Sequence, residues 1–231
     1  MDAVSQLIVD CEGCPRLREH CRRVAREKRR AYRHQQYWGR PVPGFGDPAA
    51  RLLIVGLAPG AHGANRTGRM FTGDSSGDLL YATLHATGFA TQAESVSRDD
   101  GLQLRDAYIT AAARCAPPDN KPAREELQQC SCFLEREMLL LPHIRVVVAL
   151  GRVALDALLR IWTARGEAVS RREFAFGHGA EHALPSGSGS LLCSFHPSRQ
   201  NTQTGRLSEP MFRGVFERAR ALLEASPQLA P

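Results

Sequence analysis

The stretch RLLIVGLAPGAHGANRTGR, residues 51–69, decides the fold that the sequence predicts. A short apolar run at 52–55 passes directly into a loop that is rich in glycine and proline. In α/β proteins a loop of this kind, following a buried strand, commonly holds a ligand. This first loop (56–69) contains no carboxylate, thiol or lysine. The loop therefore brings no acid and no strong nucleophile to a reaction.

Four short apolar runs predict strands that are buried on both faces, as in a parallel sheet. The runs lie at 52–55, 107–113, 146–150 and 191–195. Helical patterns alternate with them: one is capped by Asp74 or Ser75, one opens at Pro122, one contains Val153 and one runs over 210–223. This alternation predicts a single α/β domain over 1–231, a three-layer α-β-α sandwich around a four-stranded parallel sheet. The segments 91–104 and 163–190 are predicted to be loops or small insertions.

The segments that follow the four strands carry the polar residues of most chemical interest. In chain order they read GLAPGAHGANRTGR (the first loop), RCAPPDNK (the second loop, 114–121), GR, and HPSRQNTQTG (the fourth loop, 196–205). The carboxyl ends of parallel strands meet at one edge of a sheet, where open α/β sheets bind ligands. We therefore expect glycine, proline, asparagine, histidine and arginine residues to converge at that edge.

The chain has a formal net charge of +6, and the positive excess is local. Ten Lys or Arg residues lie between Arg16 and Arg40, interleaved with Tyr32, Tyr37 and Trp38. Such a segment is either a solvated helix face or an electrostatic footprint for phosphates. No apolar run is long enough for a membrane span, and no signal-peptide pattern opens the chain. A cytoplasmic protein is therefore expected.

Known phosphate-binding patterns do not fit the first loop. A Walker A loop requires lysine after its last glycine, but Arg69 follows Gly68, and the glycine spacing does not match a dinucleotide fingerprint. A nucleotide-binding protein is kept only as an alternative. In the fourth loop Pro197 fixes the chain directly after His196, and a polar run able to reach phosphates or base edges follows. A lone histidine at a strand end is more often structural, but beside such a run it indicates chemistry on a nucleic acid.

Together these motifs resemble the uracil-DNA glycosylase superfamily and, within it, the fifth family, the type B enzymes. The resemblance runs from Cys11 to about Phe216 and includes a C-x2-C and a C-x14-C pair. It is specific, since Leu57 stands where the related family 4 has an acidic residue. The resemblance implies a DNA-repair enzyme that hydrolyses the N-glycosidic bond of uracil, and of other deaminated bases such as hypoxanthine and xanthine, leaving an abasic site. DNA is the expected partner, and a monomer is expected.

The seven cysteines of a cytosolic chain favour metal or redox chemistry over disulfides. The resemblance implies a 4Fe–4S cluster that ties the N-terminal segment (1–45) to the sheet and is held by Cys11, Cys14, Cys115 and Cys130. From the residues alone, a structural zinc site with the same four thiolates stays open. Two residues apart on a helix, Cys130 and Cys132 point to nearly opposite sides, so only one can serve. Cys21 is the remaining competitor.

The resemblance also implies roles for single residues. His196 would donate a hydrogen bond to the leaving base, Phe71 would stack on the base, and Asn120 would bond to its edge. Asp74 would orient water or steady the cationic sugar, and its alternative role is a helix N-cap. The other candidates for substrate binding lie in the first and fourth loops: Gly56, Ala58, Pro59, Gly60, His62, Asn65, Ser198, Arg199, Gln200 and Asn201.

The alternative from another class is a Cys-ligated nucleic-acid-binding module without catalysis. The basic segment and the cysteines are consistent with such a module, but it would have no use for the converging site residues. An enzyme is expected to be monofunctional, because glycosylases that also cut the backbone use an amine. This chain offers only Lys28, Lys121 and its N-terminus. Pro122 favours an extended backbone at Lys121, which is expected to turn that side chain away from its neighbour's.

Overall fold

The computed structural model describes residues 1–225, and six strands form one sheet. In chain order the strands are β1 (Phe45–Gly46), β2 (Leu52–Gly56), β3 (Ala107–Ala111), β4 (Val146–Leu150), β5 (Glu181–Ala183) and β6 (Ser190–Ser194). Across the sheet they lie in the order β1-β3-β2-β4-β6-β5. The inner strands β3, β2, β4 and β6 are parallel and correspond to the four strands that the sequence predicts.

The sequence does not predict the edge strands β1 and β5, which pair antiparallel with β3 and β6. β1 has only two residues, one of them Gly46, and β5 has three, of which Glu181 and Ala183 are exposed. Strands this short lack the apolar run or the alternation that marks a strand in a sequence. The sheet is therefore six-stranded and mixed rather than four-stranded and parallel, and part of 163–190 is a strand rather than a loop.

Residues 1–225 also form eight α-helices. They are α1 (Asp2–Val9), α2 (Pro15–Glu27), α3 (Ala64–Thr67), α4 (Ser75–Ala86), α5 (Arg124–Leu139), α6 (Arg152–Ala164), α7 (Arg199–Gln203) and α8 (Glu209–Ala225). The four predicted helices correspond to α4, α5, α6 and α8, although α5 begins after Pro122, with Ala123 as its N-cap. None of the helices described here combines the length and the apolar character that a membrane span requires.

Side chains of the inner strands alternate between two cores, one on each face of the sheet. Leu52 and Ile54 belong to the core that contains residues of α4 and α8. Leu53 and Val55 belong to the opposite core, which contains residues of α5 and α6. Each fully buried side chain of this size stabilises the fold by about 1.5–3 kcal/mol. Helices thus cover both faces of the sheet, which confirms the predicted three-layer sandwich.

The N-terminal segment is attached to the domain by polar contacts that lie close to its cysteines. Arg16 of α2 donates twice to the Glu126 carboxylate of α5, with both N–O distances 2.7 Å. Further along the segment, the backbone N–H of Val42 donates to the carbonyl of Arg114 at 2.8 Å. Contacts between protein groups therefore hold this segment to the second loop and to α5.

Candidate active site

The first loop leaves the sheet at Gly56, where the lack of a side chain lets Phe71 approach. A Cβ atom added at Gly56 would lie 2.7 Å from Cζ of Phe71, too close for any side chain. The buried Phe71 ring also stacks on the ring of His196, with centroids 5.7 Å apart and planes at 28°. Such a pair is worth about 0.5–1.5 kcal/mol beyond the area it buries. The segment just beyond the first loop is thus in direct contact with the fourth loop through these two rings.

Three of the five non-glycine residues with a positive φ within residues 1–225 lie in segments at this edge of the sheet. Phe71 has a φ of 52°, a left-handed conformation that is rare for a bulky residue. Asp119 and Asn120, which follow each other in the second loop, have φ values of 53° and 56°. Each strained residue costs about 1–3 kcal/mol, and such residues cluster at ligand-binding and catalytic sites. The strain therefore points to the same edge as the converging side chains.

His196 follows β6 and is held in place by the fourth loop. Asn201 Nδ2 donates to the His196 carbonyl at 2.8 Å, and the Ser198 hydroxyl caps α7 by accepting from the Asn201 N–H. Within residues 1–225, neither imidazole nitrogen has a hydrogen-bond partner, so a ligand could bind there. Burial lowers the pKa of His196 to about 4. The ring is therefore neutral near pH 7 and carries one N–H donor.

The low pKa of His196 predicts how its NMR signals respond to pH. Its imidazole resonances should stay constant between pH 8 and 5.5, because the ring takes up a proton only near pH 4. Since the unfolded chain binds that proton at a higher pH, His196 lowers the stability of the fold as the pH falls from about 6.5 to about 4. A His196→Gln spectrum identifies the resonances. Titration with a midpoint near 6.5 would contradict the effect of burial.

Asp74 lies between the first loop and α4, and its two carboxylate oxygens have different surroundings. Oδ1 accepts hydrogen bonds from the backbone N–H groups of Ser76 and Gly77, both at 3.1 Å, and so caps α4. Oδ2 lies against Gly60 and Gly63, where an added Cβ atom would clash with it. Burial raises the pKa of Asp74 above its ordinary value, although the two capping amides oppose the rise. Asp74 thus serves as an N-cap, and its second oxygen faces the first loop.

Two candidates of the first loop have hydrogen-bond partners within the protein. One ring nitrogen of His62, Nδ1, lies 3.1 Å from the hydroxyl of Tyr37. Asn65 is fully buried, and its Nδ2 donates to the carbonyls of Cys21 and Ala61, both at 3.4 Å. Both side chains therefore fix the local chain, largely against the N-terminal segment. Their role in substrate binding stays a prediction from the sequence.

The remaining candidates lie along the same edge of the sheet. Asn120 ends a 3₁₀ turn (Pro118–Asn120) in the second loop and is exposed. Arg199 and Gln200 are exposed at the start of α7. In the first loop, Pro59 is buried, whereas Ala58 and Gly60 are half-buried. The exposed side chains are accessible to a large ligand.

Four of the seven cysteines surround one small cavity beside α5: Cys11, Cys14, Cys115 and Cys130. Cys130 is buried at this cavity, whereas Cys132, on the other side of α5, is exposed, as helical geometry predicts. Cys21 is buried but does not line the cavity. Within residues 1–225, no three His, Cys, Asp or Glu side chains form a group that could hold a single metal ion. The four thiols that the resemblance implies are therefore arranged around a common space.

A buried arginine borders the same cavity. Arg114 directly precedes Cys115, and its Nη1 and Nη2 donate to Glu137; both side chains are only 1% exposed. Removing one partner of such a buried pair typically costs about 3–5 kcal/mol. Arg114 Nε is buried and has no hydrogen-bond acceptor in the described part of the chain. A cationic group with an unused N–H beside four thiols fits an anionic cluster that carries sulfur acceptors.

Comparison with known proteins gives one consistent result. A family model for the uracil DNA glycosylase superfamily matches residues 43–220. A "Type-5 uracil-DNA glycosylase" of Thermus thermophilus is 53% identical over 221 residues, which cover 96% of this chain and 97% of that protein. A protein of the same name from Mycobacterium tuberculosis is 50% identical and covers 95% of this chain, which spans 80% of that protein. A "Type-4 uracil-DNA glycosylase" of Pyrobaculum aerophilum is 27% identical over 223 residues.

Proposed function

The chain belongs to the uracil-DNA glycosylase superfamily, and we propose that it is a DNA-repair enzyme that removes uracil from DNA by hydrolysing the N-glycosidic bond. The similarity to proteins named type-5 uracil-DNA glycosylase extends over nearly the whole chain. The observation that carries the proposal is the meeting of three groups at the first loop. Phe71 and His196 stack beside Gly56, and the half-buried Asp74 carboxylate lies against Gly60.

Departure of the base requires a hydrogen-bond donor, because the base gains negative charge as the N-glycosidic bond breaks. A target base must first leave the helical stack and enter a pocket. His196 is suited to meet it there, since its neutral ring keeps one N–H and has no competing partner within residues 1–225. A donor already oriented toward the developing charge costs no reorganisation during the reaction. His196 therefore stabilises the leaving base.

The sugar gains positive charge in the same transition state, and water must reach its C1′ atom. Asp74 Oδ2, which has no hydrogen-bond donor in the described part of the chain, is the carboxylate oxygen that faces the first loop. A buried carboxylate stabilises a nearby cation more strongly than an exposed one does. Asp74 orients the water and steadies the sugar, while its Oδ1 still caps α4. The new C–O bond at C1′ replaces the C–N bond, and the released base takes up a proton.

Recognition of the base and of the DNA strand is assigned to the surrounding loops. Phe71 offers a ring for stacking, and Asn120 offers an amide that can bond to a base edge. The exposed Arg199 and Gln200 at the start of α7 can reach phosphates. We include the fourth loop in the DNA interface on this ground.

The range of bases is tested by measuring the release of free base. Duplexes that carry uracil, hypoxanthine or xanthine at one position are incubated with the protein, and the freed bases are quantified by mass spectrometry. We extend the proposal to hypoxanthine and xanthine, as the family resemblance implies, so release is expected from all three and none from thymine. Release of uracil alone would overturn the extension, and release of no base would overturn the whole proposal. The monomeric state and the cytoplasmic location stay predictions from the sequence.

We propose a 4Fe–4S cluster as the resident group of the four-cysteine cavity. Its thiolate ligands are Cys11, Cys14, Cys115 and Cys130, and Arg114 Nε is available as a donor to a cluster sulfur. When bound, the cluster supplies a cross-link between the N-terminal segment, the second loop and α5. The catalytic assignments do not depend on it, because His196 and Asp74 do not line the cavity.

A hydrolytic mechanism predicts that borohydride will trap no covalent adduct with DNA. Trapping requires an amine that attacks the sugar, and Lys121 is the lysine near the proposed site. Its backbone is extended, with φ −118° and ψ 88°, as the following proline predicts. The experiment incubates the protein with uracil-containing duplex and sodium borohydride, then separates the products by denaturing electrophoresis. An adduct that forms with the unaltered protein and disappears in Lys121→Ala would show that water is not the nucleophile.

A further inference from the structure

A groove of about 970 Å³ opens beside Asp74 and has no role in the chemistry assigned above. Residues of the N-terminal segment, including Tyr32 and Trp38, line one part of it. Residues 95–99, which we call the 95–99 loop, line another part. Asp74 and Ser75, at the start of α4, also line it, so the groove reaches the proposed active site.

Trp38 and Arg98 form the first of two aromatic–arginine stacks in this groove. One side of the indole packs on Gly68, where an added Cβ atom would lie 2.9 Å from Cδ2 of Trp38. Arg98 Cζ lies 4.9 Å from the ring centroid, and the indole Nε1 donates to the Pro41 carbonyl at 3.0 Å. The indole is therefore fixed, and the exposed Arg98 guanidinium offers a flat surface at the groove.

Tyr32 and Arg66 form the second stack. Arg66 Cζ lies 4.0 Å from the centroid of the Tyr32 ring. The guanidinium is held by the carbonyls of His62 and Gly73, which accept hydrogen bonds from it at 2.7 Å each. Arg66 is buried, whereas Tyr32 is half-buried. A rigid cation thus supports an aromatic ring that is partly open to the groove.

The 95–99 loop is held rigidly next to Asp74. The backbone N–H of Gly73 donates to the carbonyl of Ser95 at 3.0 Å, which connects the loop to the residue before Asp74. Asp100 closes the loop by accepting hydrogen bonds from two loop N–H groups, and it forms a buried ion pair with Arg69 at 2.7 Å. Little conformational freedom therefore remains to be lost on binding, which favours affinity.

The charges of the groove favour bases rather than phosphates as its ligands. Three arginines and three aspartates line it: Arg40, Arg66, Arg98, Asp74, Asp78 and Asp99. These charges cancel, so the groove lacks the positive excess that a phosphate track requires. Flat rings and guanidinium planes are, in contrast, the surfaces on which unpaired bases stack.

We propose that this groove binds, by stacking, an unpaired base of the DNA strand next to the nucleotide that enters the active site. The proposal rests on the proposed function, because extrusion of the target nucleotide removes one stacking partner from each neighbouring base. The proposal adds that one of these neighbours also leaves its base pair and stacks in the groove instead. Arg98, backed by Trp38, and Tyr32, backed by Arg66, are the two stacking surfaces. The contact is sequence-tolerant, since every base has a flat face.

The test measures whether the neighbouring base and Arg98 act through the same contact. Oligonucleotides carry a stable abasic analogue at the target position, and either the 5′ or the 3′ neighbour is present with or without its base. Loss of the base that stacks should weaken binding by the unaltered protein about 5- to 100-fold. Arg98→Ala should weaken binding of the complete oligonucleotide by no more than this, because Tyr32 remains as a stacking surface. The two changes together should weaken binding no more than loss of the base alone.

Two matched variants separate stacking from charge. Arg98→Lys keeps the charge but loses the flat guanidinium, so it should behave like Arg98→Ala. Arg30→Ala removes an exposed arginine of the N-terminal segment that does not line the groove, so its effect should add to that of base removal. The proposal would be overturned if the effect of Arg98→Ala on affinity added to the effect of removing the 5′ base and also to that of removing the 3′ base. Full affinity in Arg98→Lys would overturn it as well. Uracil release by the unaltered protein, measured in parallel, tests the proposed function separately.

Discussion

Replacing Asp74 with Asn should lower the single-turnover rate of uracil release by about 10²- to 10⁴-fold, the range expected for a group that positions and activates water. The variant keeps a side-chain oxygen that can cap α4, because Asn and Asp are equally good N-caps. It loses the negative charge that lies against Gly60 and Gly63. The thermal midpoint should therefore change little while the rate falls. This separation distinguishes the catalytic role from the structural one.

The control for this experiment is Asp2→Asn. Asp2 is an exposed acid in the first turn of another helix, α1, so the charge change is equal but occurs at a residue that lines neither the groove nor the four-cysteine cavity. Its rate should stay within a few-fold of the unaltered protein. Only ionised Asp74 can act, so the rate of the unaltered protein should also fall as the pH drops through the raised pKa of this group. A full rate in Asp74→Asn would leave Asp74 as a helix cap alone.

Cys130→Ser should abolish the iron–sulfur site and cause a large loss of stability. The unaltered protein is expected to be brown and to contain about four irons per chain. Binding of such a group is coupled to folding, and loss of a metal site is one of the few changes that cost more than about 4 kcal/mol. The cluster would join the N-terminal segment to α5, so its loss removes a long-range cross-link. Iron content and the thermal midpoint should both fall.

Cys132→Ser is the matched control, because this cysteine lies two residues away in the same helix and is exposed. Iron content and thermal midpoint should match those of the unaltered protein. A colourless unaltered protein with one zinc per chain would contradict the cluster and support the zinc site that sequence chemistry leaves open. If iron were lost in Cys132→Ser and retained in Cys130→Ser, Cys132 and not Cys130 would be the ligand.

The inner part of the fold is predictable from the sequence because each central strand has a complete signal of its own. The runs at 52–55 and 146–150 are apolar at every position, as burial on both faces requires. The edge strands have no such signal, since β1 and β5 depend on pairing with β3 and β6 rather than on burial. Local pattern therefore predicts the parallel core, while the edges depend on tertiary contacts.

The sequence predicts which segments meet at the candidate site, because these segments follow the ends of the strands. It predicts less well the direction in which each side chain points. Phe71, two residues beyond the first loop, is in contact with His196 of the fourth loop, as convergence at one edge of the sheet predicts. His62 and Asn65 lie in the first loop, but their side chains contact Tyr37 and Cys21 of the N-terminal segment. The spacing of residues in the sequence does not predict these side-chain directions. The sequence does not predict the buried ion pair of Arg114, although its place directly before Cys115 is a signal of a role beside the cysteines.

The central claim, hydrolytic removal of uracil, is tested most directly with a labelled duplex that contains one uracil. The protein is prepared from a host that lacks its own uracil-DNA glycosylase, and Asp74→Asn prepared in the same way controls for contamination. We predict that free uracil and abasic strand form in equal amounts, and that the labelled strand stays intact until alkali cleaves it at the abasic site. A duplex that is bound by the protein but still resists alkali would contradict the claim and support a binding module without catalysis.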